Sequence, residues 1–180
     1  MAPMNETRKR RIRAYKERDI ATLVDLLDDE AEARFAAREL GKLGARETAP
    51  RLMPLLDSTN PLDRMVAAQE LRRFGHREAL PLLREIALND DTPYVRIWAV
   101  SALGDLGDPG DVDRLLPLLD DPSVQVRAVT AEALGKLGDR KALEPLRVAR
   151  RRSRRSLLAW YVLHKSYRRA IKSLKSPVAS

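Results

Sequence analysis

The side chains that most often carry catalysis are scarce in this sequence of 180 residues. It has no cysteine and only two histidines, His76 and His164, which lie far apart along the chain. Without cysteine there are no disulfides, thiol nucleophiles or thiolate ligands. A metal site would need several carboxylates around one histidine, and no such spacing is present. The sequence therefore predicts neither a metal site nor a cofactor.

Paired carboxylates occur three times, at positions 28–29, 90–91 and 120–121. Such pairs are able to perform general acid–base chemistry, but each falls at a turn between helical patterns, where capping and solubility are their usual roles. The phrases GKLGA and GDLGDPG are not phosphate loops, because neither follows a strand nor ends in lysine and serine. We therefore expect a protein that is not an enzyme.

Three arginines recur at equivalent positions, Arg64, Arg96 and Arg127, separated by 32 and 31 residues. Two interpretations stay open. Each arginine bonds an aspartate or a carbonyl in the turn between repeats, which makes an internal ladder, or the row faces a phosphate backbone. Acidic neighbours such as Asp90 and Asp121 favour the ladder.

These residues are positioned by a repeat of about 31 residues. Its markers are leucines that head the phrases LGKLG, LRRFG, LGDLG and LGKLG, namely Leu40, Leu71, Leu103 and Leu134. A glycine ends each phrase, and at Gly138 we expect the left-handed conformation that closes helices. Two helical patterns per period indicate an α-solenoid of stacked antiparallel helix pairs. The predicted fold is all-α, a right-handed superhelix of about ten or eleven helices with a C-terminal capping helix.

Three segments follow from this pattern. Residues 1–29 are predicted to form a basic segment and an irregular capping pair, residues 30–149 four repeats, and residues 150–180 an arginine-rich segment and a basic amphipathic helix. In that helix, Trp160 and Tyr161 are expected to be packing anchors. Pro54 lies deeper in its helix than the other prolines, so we expect a kink or a late helix start there.

The net charge of +8 is unevenly distributed. Residues 1–18 carry +5, residues 19–144 carry −8, and residues 145–180 carry +11 without a single acidic residue. Attraction to an anionic partner must therefore come mainly from the two ends. No apolar stretch approaches the roughly 20 residues of a membrane span, and no secretion signal is visible, so a cytoplasmic protein is expected.

The repeats resemble short HEAT-like repeats of the phycobilisome-lyase type. These combine an acidic, proline-containing turn, an arginine and the phrase A-x-x-A-L-G-x-L-G-D, here DDPSVQVRAVTAEALGKLGD and DDTPYVRIWAVSALGDLGD. The resemblance covers about residues 19–149 and implies the solenoid fold. Such repeats occur in bilin-chromophore lyases, adaptor proteins, DNA-repair glycosylases and enzyme appendages, so the resemblance alone leaves the function open.

The first functional hypothesis is a non-catalytic scaffold or adaptor that binds another protein through the concave surface of its second helices. The candidate contact residues are Arg51, Arg84, Glu85, Asp113, Arg114 and Arg147.

A second hypothesis is binding of RNA or DNA backbone, or of another anionic partner, through the basic ends. The candidates there are Arg8, Lys9, Arg10, Arg11, Arg13, Arg150, Arg151, Arg152, Arg154 and Arg155. A third hypothesis, a bilin-lyase-like or chaperone subunit, depends on the resemblance alone.

Overall fold

A computed structural model of the protein describes residues 6–154 and 157–175, without the side chains of residues 6–8, 10, 15 and 158. This part of the chain forms eleven α-helices, joined by turns and short 3-10 helices, and contains no β-strand. The all-α fold of stacked helix pairs is confirmed. The helices fall into two compact units, residues 1–76 and 77–180.

The first unit contains five of the helices. They are α1 (Glu6–Glu17), α2 (Ile20–Asp25), α3 (Ala33–Leu43), α4 (Ala49–Leu52) and α5 (Pro61–Phe74). Helix α3 packs against both α2 and α5, and α1 packs against α2. The first two helices therefore lie on one side of α3, with α2 in contact with it.

The second unit contains the other six. They are α6 (Leu80–Asn89), α7 (Pro93–Leu106), α8 (Asp111–Leu115), α9 (Val124–Leu137), α10 (Leu143–Ser153) and α11 (Leu157–Lys175). Helix α7 packs against α6 and α9, while α11 packs against α9 and α10. The C-terminal helix thus covers the last repeat.

Capping residues define the long helices. The Ser123 hydroxyl accepts a hydrogen bond from the backbone N–H of Val126 at 3.4 Å, which makes Ser123 the N-cap of α9. At the other end Gly138 has φ 79°, the left-handed conformation expected there. Gly107 differs, with φ −68° and ψ −172°. After Gly107, which ends α7, the chain makes an extra turn, in which the backbone N–H of Asp108 donates to the buried carboxylate of Asp111.

The repeated leucine is the centre of each repeat core. Leu40, Leu71, Leu103 and Leu134 are all at most 1% exposed. The glycine after Leu103 allows two helices to approach closely, because a Cβ on Gly104 would lie 2.8 Å from the Cα of Ala133.

Two local expectations need correction. At Pro54 there is neither a kink in an α-helix nor a late start, because α4 ends at Leu52 and residues Met53–Asp57 form a 3-10 helix. The aromatic anchors of α11 were placed wrongly, since Trp160 is 37% and Tyr161 79% exposed. The buried aromatic of α11 is Tyr167, at 1% exposed, on the apolar face that it shares with Leu163, Ala170 and Leu174 and that packs against α9 and α10.

In the part of the chain that the structure describes, no helix combines the length and the apolar character needed to cross a membrane.

Candidate functional site

The periodic arginines form the internal ladder. Arg64, Arg96 and Arg127 each donate from Nη1 to the backbone carbonyl six residues earlier, at 2.8, 2.8 and 2.5 Å. Each guanidinium therefore holds the turn that precedes its own helix. The ladder interpretation is confirmed, and these three side chains are not a row aimed at a phosphate backbone.

Among the predicted contact residues, Arg84 has the most extensive internal bonding. Its Nε donates to Oδ1 of Asp111 at 2.6 Å, and its Nη2 donates to Oδ2 of the same residue at 3.1 Å and to Asp108 at 3.3 Å. Asp111 is fully buried. Burial alone would raise its pKa, but the hydrogen bonds from Arg84 and from the backbone N–H of Asp108 outweigh burial and hold the pKa below its usual value. The pair is thus a structural link between α6 and α8.

The remaining members of that set also have partners within the chain. The partners are Asp28 for Arg51 at 2.9 Å, Lys141 for Asp113 at 2.6 Å, Glu144 for Arg147 at 3.2 Å, Asp111 for Arg114 at 3.9 Å, and Asn89 for Glu85 at 2.6 Å. Apart from the buried Asp111, the charged groups in these pairs are exposed, and exposed ion pairs add little stability, so a partner could replace them at low cost. Their role in partner binding stays a prediction.

The basic N-terminal residues are partly neutralised. Arg11 forms an ion pair with Glu32 at 3.3 Å, and its guanidinium carbon lies 5.5 Å from the centre of the Phe35 ring. Arg13 pairs with Glu17 on the same helix at 3.0 Å. Lys9 is exposed. The side chains of the two other candidates, Arg8 and Arg10, lie outside the described part of the chain.

The C-terminal arginines separate into two groups. Arg151 pairs with Glu144 at 3.1 Å, as Arg147 does, and Arg152 pairs with Asp120 at 2.9 Å. Arg150 and Arg154 form no ion pair with any described residue. The last candidate, Arg155, lies outside the described residues.

A cavity of about 280 Å³ lies beneath α11, against α9 and α10. Its polar lining consists of Tyr167, Arg127, Ser153 and the Asp120–Arg152 ion pair, and its apolar lining of Leu119, Ala149, Ala159 and Leu163. An apolar wall with a few convergent polar groups is typical of ligand sites.

Tyr167 is the residue of this cavity that sequence reasoning missed as a functional candidate. Burial raises the pKa of its phenol to about 12, the nearby Arg127 lowers the pKa and Asp120 raises it. The phenol is therefore a neutral hydrogen-bonding group at neutral pH. In the sequence, Tyr167 is a polar aromatic residue at a core position of α11 where the neighbouring core positions are aliphatic, and this pattern could have identified it.

A second recess lies between α10 and α11, with a volume of about 370 Å³. Four cationic side chains and one apolar residue line it, namely Arg150, Arg168, Lys172, Lys175 and Ile171. We call this recess the basic groove. From the sequence, only Arg150 was a candidate, because the cations of α11 could not be distinguished from an ordinary solvated helix face.

The first unit has a cavity of about 420 Å³ where α1, α2 and α3 meet. Lys16, Arg18 and Lys42 line it together with Glu39, whose carboxylate accepts from Lys42 at 2.6 Å. Among the described residues there is no cluster of three or more histidine, aspartate or glutamate side chains able to hold a metal ion.

Comparison with known proteins identifies the family. Residues 20–104 and 85–161 match HEAT repeats. The uncharacterized phycocyanin operon protein Z of Pseudanabaena tenuis is 32% identical over 145 residues, which cover 73% of this chain and 70% of that protein.

The alpha subunits of phycocyanobilin lyase from Picosynechococcus sp. and Nostoc sp. are each 27% identical, over 71% and 66% of this chain. The chain spans about half the length of these two subunits, 55% and 50%.

Solved structures of similar fold include an engineered protein, with a TM-score of 0.61 and 21% identity over 92% of this chain and 83% of that one. Another is the complex of CpcE and CpcF of phycocyanin lyase from Nostoc sp., with a TM-score of 0.59 and 19% identity over 96% of this chain and 91% of that one. At these identities the similarity shows the fold alone.

The prediction that the protein is not an enzyme is wrong, because two of these relatives are named as subunits of a lyase. The scarcity of histidine and the lack of cysteine exclude thiol chemistry by this chain, but not every form of catalysis. In addition, a subunit of a larger enzyme does not have to contain the whole active site, because it can contribute only part of it.

The repeat match and the coverage of the cyanobacterial relatives agree with the phrases seen in the sequence, and the chain therefore belongs to the HEAT-repeat proteins of the phycobilisome-lyase type.

Proposed function

We propose that this protein is a subunit of a bilin lyase, which acts with a second protein on a phycocyanobilin-like chromophore and its acceptor protein. The observation that carries the proposal is the similarity to the alpha subunits of phycocyanobilin lyase over about two thirds of this chain or more. The operon protein, whose name also refers to phycocyanin, supports the same assignment.

The cavity beneath α11 supports a ligand-binding role within such an assembly. It offers apolar walls for a conjugated ring and polar groups at its edge. Its volume of about 280 Å³ lies just below the range of about 300–1,000 Å³ usual for sites that hold a whole small molecule. This size supports a site in which the chain supplies one wall and a second subunit completes the rest. Because the chain has no cysteine, it would hold the chromophore without a bond to sulfur.

The scaffold hypothesis predicts that this protein binds another protein, and the lyase proposal includes the same kind of binding. One of the similar solved structures is a complex of CpcE and CpcF of phycocyanin lyase, which supports a protein partner. The names of the relatives give no support to the nucleic-acid hypothesis.

The proposal is tested by mixing the purified protein with phycocyanobilin and apo-phycocyanin, with and without a second HEAT-repeat subunit from the same source. We expect chromophore that stays on phycocyanin through a denaturing gel, in an amount that depends on this protein. If the protein neither changes the visible spectrum of the bilin nor alters its attachment in either mixture, the proposal is wrong.

Two tryptophan variants then test the cavity. Ala159 lines the cavity and is 8% exposed, while Val162 lies on the same helix and is 37% exposed. Ala159→Trp should fill the cavity and reduce bilin attachment, whereas Val162→Trp should retain it. Melting temperatures of both variants show whether a loss comes from unfolding. Full attachment by a folded Ala159→Trp protein would remove the cavity from the mechanism without removing the lyase proposal.

A further inference from the structure

The described residues that line the basic groove between α10 and α11 include no carboxylate. Arg150 projects into it from α10, and Arg168, Lys172 and Lys175 project into it from α11, with Ile171 between them. Positive charges held together repel one another, so a recess lined by four of them is stabilised by an anion that enters it.

The neighbouring arginines on α10 are paired with carboxylates of the chain. Arg147 and Arg151 both contact the carboxylate of Glu144, and Arg152 contacts that of Asp120. In contrast, Arg150, Arg168 and Lys175 have no ion-pair partner among the described residues. The sequence from position 145 onward contains no aspartate or glutamate, so no side chain of this part of the chain provides a carboxylate for the groove.

The same face of α11 continues with apolar residues toward its N-terminal end. Leu157 and Tyr161 lie on that face, at helical spacing from Arg168, and are 84% and 79% exposed. Aromatic side chains and arginines are both enriched where proteins bind other proteins. The combination suits a partner that carries both carboxylates and apolar side chains.

We propose that the basic groove binds an acidic segment of a partner protein, with apolar residues of that segment against Leu157 and Tyr161. A long nucleic acid is disfavoured, because residues 77–144 of the same unit carry eight basic and thirteen acidic residues, a charge of −5, and would repel a polyanion that extends beyond the groove. The inference goes beyond the lyase proposal and does not depend on a chromophore.

The test uses the whole chain and two triple variants that remove the same charge. In the groove variant, Arg150, Arg168 and Lys175 are each replaced by Gln. In the matched variant, three exposed arginines that line neither the groove nor the cavity beneath α11, namely Arg46, Arg77 and Arg140, are each replaced by Gln. The probe is a fluorescent twelve-residue peptide of Glu and Asp with two Leu, titrated at 150 mM salt to suppress long-range attraction.

We expect the groove variant to bind the peptide about tenfold more weakly than the wild-type protein, since three ion pairs are lost, and the matched variant to change the affinity by less than about twofold. Replacing the two leucines of the peptide by serine should weaken binding to the wild-type protein. Melting temperatures establish that both variants are folded.

Several outcomes would overturn the inference. Equal weakening in both variants would mean that only net charge matters. Tighter binding of a twelve-nucleotide single strand or of anionic vesicles, lost in the groove variant, would identify the occupant as nucleic acid or lipid. Self-association of the wild-type protein that disappears in the groove variant would identify it as a second copy of this chain.

Discussion

The guanidinium of Arg96 holds the carboxylate of Asp121 through two hydrogen bonds, from Nε to Oδ2 at 3.0 Å and from Nη2 to Oδ1 at 2.9 Å. Both side chains are almost fully covered, with 11% and 5% exposed. The third nitrogen of Arg96 donates to the carbonyl of Asp90, and the carbonyl of Asp121 accepts from Arg127. One arginine thus ties together the turns that begin two successive repeats.

Replacing Arg96 by Ala should therefore destabilise the protein. The substitution removes charge-assisted hydrogen bonds and leaves the buried carboxylate of Asp121 with fewer partners, so we expect a loss of about 2–3 kcal/mol in the free energy of unfolding. The measurement is urea denaturation followed by circular dichroism. Arg154→Ala is the control, because Arg154 is exposed and should change stability by less than about 0.5 kcal/mol. Equal stabilities of the two variants would contradict the ladder.

Replacing Gly104 by Val should be more damaging. The new Cβ would lie 2.8 Å from backbone and side-chain carbons of Ala133, so α7 and α9 must move apart. Forcing extra carbon atoms into a packed contact typically costs about 1–3 kcal/mol, and more where backbone opposes backbone. Gln125→Val is the control, since it introduces the same β-branched residue at an exposed position of α9. A thermal melt of Gly104→Val that coincides with that of the control would show that the helices are not this close.

Glu70 is expected to reduce stability at neutral pH. It is 1% exposed, and burial raises the pKa of its carboxyl, although Arg73 at 3.3 Å lowers it. A raised pKa in the folded protein contributes stability below the unfolded pKa, and that contribution is lost as the pH rises through the folded pKa. Glu70→Gln should therefore melt higher than the wild-type protein at pH 7, and the difference should shrink below about pH 4.

Glu47→Gln serves as the control for this effect, because Glu47 is exposed. Its melting temperature should follow that of the wild-type protein across the same pH range. A lower melting temperature of Glu70→Gln at pH 7 would show that the ion pair with Arg73 outweighs the burial of the carboxyl.

Tyr167 should make stability fall in alkali. Its folded pKa is raised from the ordinary 10.0 to about 12, so between these values the folded state keeps a proton that the unfolded state loses. Stability should therefore decline as the pH rises from about 10 to 12, by roughly 2–3 kcal/mol at most. Tyr167→Phe should lose this part of the slope in urea denaturation at each pH. Tyr161→Phe, at an exposed position, should keep the wild-type slope, and parallel slopes for both variants would contradict the burial of the phenol.

The fold was predictable because its determinants are local and periodic. A leucine that is buried in every repeat must recur in the sequence, and so must an arginine that reaches a carbonyl six residues earlier. Gly138 and Ser123 could also be assigned, since capping depends on residues within one turn of the helix end. Gly107 could not, because the extra turn after it is held by the distant side chain of Arg84, which bonds Asp111.

The candidate sites were less predictable, because charge and exposure depend on contacts between helices. The sequence shows six arginines in residues 147–155, but not that three of them meet Glu144 or Asp120 while Arg150 faces α11. Periodicity likewise does not show which aromatic of α11 is buried. The lack of cysteine and the scarcity of histidine exclude particular chemistries, but they do not exclude enzyme activity in general. For this reason the prediction that the protein is not an enzyme was wrong.

The contact between α9 and α11 repeats the contact between α7 and α9. A Cβ on Gly135 would lie 2.9 Å from the Cα of Ala170, as one on Gly104 would lie 2.8 Å from Ala133. The terminal helix therefore docks on the same surface that a further repeat would use. If one 31-residue unit ahead of α10 were duplicated, the contact between successive repeats and the contact between the last repeat and α11 would both form again with the same residues. Whole repeats could therefore be added or removed while the terminal helix is kept. Gene duplication or protein engineering could in this way change the length of the array without changing the residues at its helix contacts.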